Sequence, residues 1–516
     1  MAASRRSLLV AVSAVAVAAA CSAPARAAQV IVVDHDRAER VADPFVPPRA
    51  ATDLGPAPGH PAVRAFPSGG GPGAVARVLR RAERAHTISP SGHAGYLRTF
   101  RQARARAGLL TGPRRAELGY VVRSVERSAL AGRLTPSRMP AMFLQLRRNA
   151  QYWPSKPFPA AKDPVTFRGS ELLFLYFPGH GLQFHPLANF KKANLLHGAC
   201  KRGAPGSQKP VCGAAPPAPG RDVPCRPGRL RRLLDELSRL AVHRTPGFIA
   251  WEYMFHFGGG SPPWMSGMAQ ATAISALGRA AQLLGRPDYN VTATAALGAF
   301  EASPPIGVRA RGPLGGLHYL QYSFAPRLYI FNAFMQSLIG LHDFGKLTGD
   351  VRSTSLFKEA EPEAGREVPF SDVGDWSRYS FRGGLSTALY HELLREVLQG
   401  MGRRMGGVYC DYATRYRHYQ TDPPALRFTG PAETVRKRVT RVRFTLSKLS
   451  VVELKIYKGR RLAFRVLATF RRGSRSFTWK PRSAGHYAVR LGAKELRTGH
   501  SRRGRASGAI VVNAGG

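Results

Sequence analysis

The chain of 516 residues is 44% hydrophobic and carries a formal net charge of +46, with 77 Lys and Arg against 31 Asp and Glu. This hydrophobic content excludes a mainly disordered chain, and the length predicts two or three domains. The charge favours a polyanionic partner, but the basic residues are scattered and no nucleic-acid-binding motif is present. An acidic polysaccharide is therefore the expected polyanion, and nucleic acid is not an expected partner.

Residues 1–28 are predicted to be a secretory signal peptide. A basic start at residues 4–6 precedes an apolar run at 8–20 and the cleavage pattern Ala-Arg-Ala at 25–27. The run is too short to span a bilayer comfortably, so the protein is predicted to be secreted or to reside in the extracytoplasmic cell envelope. Cys21 leaves a lipoprotein as the second alternative, and only then is the membrane a partner.

Four further cysteines follow the signal peptide, at Cys200, Cys212, Cys225 and Cys410. In an exported protein they predict disulfides, with three possible connectivities. Their spacing contains no C-x-x-C pair, which argues against a zinc site. We expect a disulfide that closes a loop among the first three.

The N-terminal third is predicted to be a linker, a helical region and a hairpin. Residues 29–90 are rich in Pro and Gly and are expected to be a disordered linker. Helical periodicity follows over 92–108, 114–131 and 138–152, within an N-terminal helical region at 91–164. Apolar runs at 172–177 and 182–184 around Pro178-Gly179-His180-Gly181 predict a β-hairpin, and residues 198–227 a loop.

Residues 165–425 are predicted to be mainly helical. A strand is expected over 248–257 and a hairpin through 312–316, and the opening of 318–344 is strand-like. Predicted helices cover 227–240, 264–284, 289–302, a segment from Arg327, 354–364, 386–401 and 409–420. Small residues in 264–284 let helices approach closely, as an inner ring of helices requires. The pattern favours a mainly α fold with β, an incomplete (α/α) barrel with inserted β-hairpins.

Residues 432–516 are predicted to form a separate immunoglobulin-like β-sandwich. Apolar residues alternate at 439–446, 451–456, 477–479 and 487–491, with glycines at hairpin spacing. No aromatic platform for sugar binding is evident, so the predicted role is a spacer or lid.

Four ordered motifs resemble the D-glucuronyl C5-epimerase family. They are F-I-A-W-E-Y-M-F-H-F-G-G-G-S-P-P-W (248–264), M-S-G-M-A-Q-A-T-A-I-S (265–275), H-Y-L-Q-Y…N-A-F-M-Q-S-L-I-G-L-H-D (318–343) and D-V-G-D-W-S-R-Y-S-F-R…L-Y-H (372–391). The resemblance covers roughly 165–420. It implies an (α/α) barrel joined to β-rich domains and inversion of C5 in glucuronate units of heparosan-like polysaccharides, with no metal or cofactor.

The resemblance implies that Tyr322, Tyr379 and Tyr390 are catalytic. It also places the family's arginine at Arg382. The chemistry assigns this guanidinium to the uronate carboxylate and adds Gln321 and Asn332 as donors to the developing enediolate. Animal members of the family carry Glu-Tyr where this chain has Gln321-Tyr322.

Several other residues have two interpretations. His391 and Trp264 are substrate-binding candidates, although a hydrogen bond to a neighbouring helix and a helix cap, respectively, are preferred. Glu252 is expected in a salt bridge, and Asp372 and Asp375 are expected to flank a turn.

Inversion at C5 needs an acid/base group on each face of the sugar, and the basic residues Arg378, Arg382 and His391 are expected to lower the pKa of a tyrosine base. The predicted function is thus an exported uronyl C5-epimerase, an isomerase that acts on an acidic uronate polysaccharide. The alternatives are a polysaccharide lyase, which shares the first proton abstraction, and a catalytically inactive envelope glycan-binding protein.

Overall fold

A computed structural model describes residues 28–55, 71–201, 212, 223–245, 247–498 and 502–515. The predicted signal peptide and Cys21 lie outside these ranges, apart from Ala28. No helix within them is long and apolar enough to cross a membrane. The chain is a mixed α/β protein, with helices and short β-hairpins followed by a C-terminal β-sheet region.

The described residues contain α-helices along most of the chain. They are α1 (Arg49–Thr52), α2 (Gly71–Arg84), α3 (Pro90–Leu109), α4 (Gly112–Leu130), α5 (Met139–Tyr152), α6 (Pro186–Lys201), α7 (Pro227–Arg239), α8 (Gly267–Leu284), α9 (Asp288–Ala296), α10 (Phe331–Thr348), α11 (Val351–Glu367), α12 (Ala388–Met405) and α13 (Gly407–Thr421). Short 3-10 helices follow α9 and α11, at Leu297–Phe300 and Val368–Ser371.

The strands fall into an N-terminal group, two small hairpins and a C-terminal group. They are β1 (Gln29–Asp34), β2 (Arg37–Ala42), β3 (Pro164–Phe167), β4 (Phe174–Phe177), β5 (Gly181–Phe184), β6 (Val242–Arg244), β7 (Phe248–Ala250), β8 (Arg309–Arg311), β9 (Leu317–Tyr319), β10 (Leu426–Gly430), β11 (Glu433–Val435), β12 (Thr440–Leu446), β13 (Ser450–Lys458), β14 (Arg461–Phe470), β15 (Gly473–Trp479), β16 (Gly485–Glu495) and β17 (Arg503–Asn513).

The prediction of a disordered linker over 29–90 is wrong for 29–55 and 71–84. β1 pairs with β2 and, in parallel, with β3, giving a sheet of order β2-β1-β3-β4-β5. Val30, Ile31 and Val33 are buried in it, and this burial outweighs the high Pro and Gly content around them. Residues 56–70, which include part of the Pro- and Gly-rich stretch, lie outside the described ranges.

The predicted helices after residue 90 are found with shifted ends, but three segments differ. α6 was not predicted because its residues are buried on most sides, which removes the amphipathic signal. The strand predicted over 248–257 ends at Ala250, and beyond it Tyr253 pairs with Trp264. The helix expected from Arg327 begins at Phe331 because Ile330 forms a β-bridge with Ser380.

Small residues bring the central helices together, as the sequence indicated. α8 packs against α10, α6 and α9. A Cβ added to Gly340 of α10 would lie 2.4 Å from the carbonyl oxygen of Ala271 in α8, so only glycine allows this approach. One hydrophobic core runs from the N-terminal sheet to α13, and closure of the helices into an (α/α) barrel stays a prediction.

The C-terminal domain has its own core between two sheets. Their strand orders are β10-β12-β15 and β11-β17-β16-β13-β14. The domain contacts the turn before Tyr379, where Arg497 pairs with Asp375 at 3.1 Å and the Leu449 N–H donates to the Asp375 carboxylate. A two-sheet domain is thus observed, and its immunoglobulin-like topology stays a prediction.

The four cysteines form two disulfides, Cys200–Cys225 and Cys212–Cys410. The first confirms the predicted disulfide among the first three cysteines. The second joins a loop residue to α13 across 198 positions, which the sequence left open. Disulfides persist in oxidising compartments, in agreement with the predicted export.

We expect the Cys212–Cys410 disulfide to stabilise the fold more than Cys200–Cys225. A cross-link that closes a longer loop removes more entropy from the unfolded chain, and typical contributions are about 2–4 kcal/mol. The double variant Cys212→Ser, Cys410→Ser should therefore lower the free energy of unfolding, measured by guanidinium titration, more than Cys200→Ser, Cys225→Ser. The reverse order would contradict the prediction.

Candidate functional site

The Tyr322 side chain is enclosed by aromatic rings. It follows β9, and its side chain is only 1% exposed. The rings of Phe257, Trp264 and Phe324 surround it, with centroids 5.7, 5.8 and 5.2 Å away. The phenol is therefore held in one orientation by packing alone.

Tyr379 and Tyr390 come from the segment after α11. Their rings make an edge-to-face contact at 4.9 Å. Tyr390 lies in the first turn of α12, where Thr387 caps the helix. This segment contacts the residues that follow Tyr322. Ile330 forms a β-bridge with Ser380, and the Phe381 N–H donates to the Tyr329 carbonyl at 2.9 Å. The structure thus brings the three predicted tyrosines together.

A glycine of the N-terminal segment lies directly against these phenols. A Cβ added to Gly55 would lie 1.9 Å from the hydroxyl oxygen of Tyr379 and 3.3 Å from that of Tyr322. Gly55 has φ +92°, a conformation that favours glycine. The hydroxyls of Tyr322 and Tyr379 therefore both border the backbone of residue 55.

An ion pair lies beside the same cluster. Lys162 donates to Asp53 at 2.6 Å, and the Gly55 N–H donates to the same carboxylate oxygen at 3.1 Å. His185 is buried nearby; its Nδ1 accepts from the Ala188 N–H at 3.1 Å, so the neutral ring carries its proton on Nε2. That Nε2 makes no hydrogen bond within the described residues.

The environment raises the pKa of all three tyrosines. Burial raises the pKa of Tyr322 well above 10, and the neighbouring Tyr379 and Tyr390 add to it. Burial also raises the pKa of Tyr379 and Tyr390, and the negative charge of Asp53 raises both further. The expectation that basic residues lower these pKa values is wrong, because burial raises the pKa of all three tyrosines and the Asp53 carboxylate raises the pKa of two of them further.

Two of the three hydroxyls lie close to polar groups without forming a well-aligned hydrogen bond. Within the part of the chain that the structure describes, neither the Tyr322 nor the Tyr390 hydroxyl makes a hydrogen bond of normal geometry, although Asp53 is near enough to raise the pKa of Tyr390. A buried polar atom without a partner costs about 1–3 kcal/mol. Such atoms are expected where a ligand supplies the missing partner.

The predicted binding residues divide into exposed and buried groups. Arg382 lies on an exposed turn with φ +56°, where its guanidinium lies over the Phe381 ring and pairs with no carboxylate among the described residues. Gln321 and Asn332 are buried, and the side-chain oxygen of Gln321 has no hydrogen-bond partner in the described ranges. Arg382 is thus available to an incoming anion.

Trp264 and His391 are both engaged in packing. The indole of Trp264 donates to the Phe255 carbonyl at 2.8 Å and stacks on Tyr253 at 4.2 Å. His391 stacks on Trp376 at 3.7 Å, and its two nitrogens contact the Ser377 hydroxyl and the Tyr416 carbonyl. These contacts favour the structural alternative for His391, whereas Trp264 packs among aromatic rings and Ser266, not Trp264, caps α8.

The predictions for three carboxylates are confirmed. Glu252 makes a bidentate pair with Arg138, at 2.7 and 3.0 Å, and a longer contact with Arg244. Asp372 accepts from the Gly374 N–H at 2.6 Å and so forms the turn that Asp375 completes.

Sequence reasoning missed Asp53, Gly55, Lys162 and His185. The first two fall in the predicted linker, and no motif marks the other two. Among the residues that the structure describes, no group of three or more His, Cys, Asp or Glu side chains is placed to hold a metal ion.

Comparison with known proteins identifies the class of this domain. The family model described as D-glucuronyl C5-epimerase C-terminus, a family of carbohydrate isomerases, matches residues 246–417. Tyr322, Tyr379 and Tyr390 all lie inside the match, whereas Asp53, Lys162 and His185 lie outside it. The resemblance noted from the motifs is thereby confirmed.

Two curated relatives match parts of the chain. The D-glucuronyl C5-epimerase of Caenorhabditis elegans is 35% identical over 133 residues, 23% of this chain and 22% of that protein. The uncharacterized protein MJ1128 of Methanocaldococcus jannaschii is 27% identical over 177 residues, 33% of this chain and 58% of that protein. The chain is therefore a distant homologue of the epimerase and spans only part of each relative.

Two solved structures share limited similarity. The endo-beta-1,4-glucanase CMCax from Acetobacter xylinum has a TM-score of 0.30 at 14% identity, covering 46% of this chain and 72% of the glucanase. The CARDB domain of the PF1109 protein from Pyrococcus furiosus has a TM-score of 0.14 at 11% identity, covering 17% of this chain and 91% of that domain.

Proposed function

We propose that this protein is an exported uronyl C5-epimerase that acts on an acidic polysaccharide through tyrosine acid/base chemistry. The observation that carries the proposal is that Tyr322 meets Tyr379 and Tyr390, which come from a second segment, within the region that matches the epimerase family. The family match implies a uronate polysaccharide as the substrate.

The reaction needs one phenolate and one phenol on opposite faces of the uronate ring. The phenolate removes the proton from C5, and the electron pair moves into the carboxylate to give an enediolate. The phenol on the other face then gives its proton to C5, while the carboxylate re-forms. C5 is inverted without breaking the chain, and the two tyrosines exchange protonation states before solvent restores them.

Cationic and polar groups are needed to bind the polymer and to stabilise the enediolate. Arg382 is exposed and pairs with no carboxylate among the described residues, so its guanidinium can bind a uronate carboxylate of the polymer. Gln321 lies next to Tyr322 and can donate from its amide to the developing oxyanion. Asn332, at the start of α10, is proposed in the same role. The unpartnered hydroxyls of Tyr322 and Tyr390 are then satisfied by substrate oxygens and hydrogens.

The proposal predicts deuterium incorporation at C5 in heavy water. Incubation of the protein in D₂O with a glucuronate polymer of the heparosan type should place deuterium at C5 and produce iduronate, because the returning proton comes from solvent-exchanged phenol. Mass spectrometry and NMR of the isolated disaccharides measure both changes. A neutral polymer of N-acetylglucosamine serves as the control and should incorporate no deuterium.

The same incubation separates the alternatives. A lyase would break the C4–O bond after the same proton abstraction and leave an unsaturated sugar that absorbs ultraviolet light. Unsaturated ends would therefore replace the epimerase assignment with that of a lyase. Binding of a uronate polymer without any C5 exchange, across heparosan, hyaluronan, chondroitin and alginate, would instead leave a glycan-binding protein.

A further inference from the structure

An N-terminal strap, defined as residues 43–55, crosses the helical domain and reaches the tyrosine cluster. Its apolar side chains Phe45, Val46 and Leu54 are buried. α1, within the strap, contacts both α6 and α12, the helix that carries Tyr390. The strap is therefore part of the packed structure and lies over the proposed catalytic residues.

The end of the strap leaves no space for a sugar at the phenols. The hypothetical Cβ of Gly55 lies 1.9 Å from the Tyr379 hydroxyl oxygen, so the glycine backbone itself occupies the position next to that atom. The Tyr322 side chain is 1% exposed and Tyr390 is 6% exposed. While residues 53–55 stay in place, the C5 atom of a uronate ring cannot contact these hydroxyls.

The strap places a carboxylate beside the phenols. Asp53 is the strap's acidic residue at the cluster, in a chain of net charge +46, and it raises the pKa of both Tyr379 and Tyr390. Its carboxylate is bound by Lys162 at 2.6 Å. The side chains of Lys162 and Asp53 are 31% and 15% exposed, so the pair is largely protected from solvent.

Lys162 is held in an unusual position. It has φ +66°, which is uncommon for a residue with a side chain, and its N–H donates to the Tyr176 carbonyl at 2.6 Å. Non-glycine residues in this conformation cluster at binding and active sites, where the surrounding structure maintains them. A cavity of about 310 Å³, lined also by Arg40, Arg49 and Thr52, opens beside Lys162.

We propose that Lys162 is a binding residue for the carboxylate of the reacting uronate, and that Asp53 of the strap occupies this carboxylate site until substrate displaces it. The inference rests on the proposed function for the identity of the ligand. A lysine ammonium binds a carboxylate as a compact charge, and the Asp53 carboxylate already shows that one fits between Lys162 and the tyrosines. Displacement of residues 53–55 would free Lys162 and the three phenols in a single step.

This assignment gives Lys162 and Arg382 different roles. Asp53, the carboxylate beside the phenols, is paired with Lys162, whereas Arg382 lies on an exposed turn after Tyr379. Lys162 therefore binds the reacting sugar, and Arg382 binds a carboxylate further along the polymer. A polymer with repeated uronate units can engage both.

The first test opens the strap without ligand. Gly55→Ala adds a Cβ into the Tyr379 hydroxyl, and Asp53→Asn removes the charge that Lys162 holds. Gly169→Ala and Asp34→Asn are the matched controls. Gly169 has φ +82°, and no described atom lies within 4 Å of a Cβ added there; Asp34 pairs with Arg168 at the surface. Hydrogen exchange of residues 43–55, with nitration of Tyr379 and Tyr390, measures the opening by mass spectrometry.

We expect exchange and nitration to rise by about tenfold or more in Gly55→Ala and Asp53→Asn, and to stay at the wild-type rate in the controls. Exchange of the strap is the deciding measurement, since Asp53→Asn also changes the charge beside the phenols. Equal exchange in all five proteins would overturn the strap as a removable cover.

The second test measures binding of oligosaccharides from heparosan, hyaluronan, chondroitin and alginate by calorimetry. Asp53→Asn should bind at least one of them about tenfold more tightly than wild type, because the ligand no longer competes with the internal carboxylate. In that background Lys162→Met should abolish the gain, and Lys162→Arg should keep part of it. Binding that is unaffected by Lys162→Met, or no binding by a variant whose strap is open, would overturn the carboxylate site.

The two proposals fail separately. Tighter binding in Asp53→Asn without deuterium incorporation at C5 would support the carboxylate site and contradict the epimerase assignment. Deuterium incorporation at equal rates in wild type, Asp53→Asn and Lys162→Met would support the epimerase and remove the carboxylate site.

Discussion

Tyr322→Phe and Tyr379→Phe are each expected to lower the rate of C5 deuterium incorporation by about 10²–10⁴-fold, the usual contribution of a positioned acid or base. Each change removes one phenol oxygen and leaves the ring in place. The Tyr322 ring is held by Phe257, Trp264 and Phe324, so its packing should persist. The measurement is the rate of deuterium incorporation into a uronate polymer at fixed pH.

Tyr322→Phe should not lower the stability of the fold. The Tyr322 hydroxyl makes no hydrogen bond of normal geometry among the described residues, so its removal breaks none. Tyr329→Phe is the matched control; its half-buried hydroxyl donates to the Arg311 carbonyl at 3.1 Å and lies outside the proposed catalytic set. Full activity of Tyr322→Phe, with a normal melting temperature, would remove Tyr322 from the mechanism.

The three tyrosines could be predicted from sequence because they lie in local motifs. Each is flanked by an ordered pattern within residues 246–417, and each pattern can be recognised without knowledge of the fold. What the sequence could not predict is how the motifs meet. The bridge from Ile330 to Ser380 holds residues 327–330 outside the helix, although their spacing reads as helical.

Asp53 and Lys162 illustrate the opposite case. They are 109 positions apart, and neither lies in a recognisable motif. Asp53 falls in a segment whose Pro and Gly content predicts disorder. The segment is ordered because Phe45, Val46 and Leu54 are buried against the rest of the protein. Local sequence patterns do not indicate long-range burial of this kind.

The same reasoning applies to α6 and to the second disulfide. Helix α6 is buried on most sides, so its residues show no polar face for periodicity to detect. Cys212 and Cys410 pair across the helical domain, and sequence spacing cannot choose among three connectivities. Helix α7, which has one exposed face, was predicted over 227–240 and is observed at Pro227–Arg239.

Arg138→Ala is expected to lower the free energy of unfolding by about 3–5 kcal/mol, the usual cost of removing one partner from a buried ion pair. Glu252 is fully buried, with a side-chain exposure of 0%, and Arg138 is 14% exposed. After the substitution the carboxylate would keep, among the described residues, only the 3.4 Å contact with Arg244, which places the loss toward the lower end of that range. Denaturant titration measures the change.

Arg352→Ala is the matched control, because Arg352 also pairs with a glutamate through two nitrogens. Its partner Glu301 is 42% exposed and Arg352 itself is 47% exposed, so water can replace the lost contact at a cost of about 0–1 kcal/mol. The difference matters for the proposed site because Glu252 precedes Tyr253, which stacks on Trp264 behind Tyr322. Arg138→Ala should therefore also slow C5 deuterium incorporation, whereas Arg352→Ala should not, and equal stability losses in the two variants would contradict the buried-pair argument.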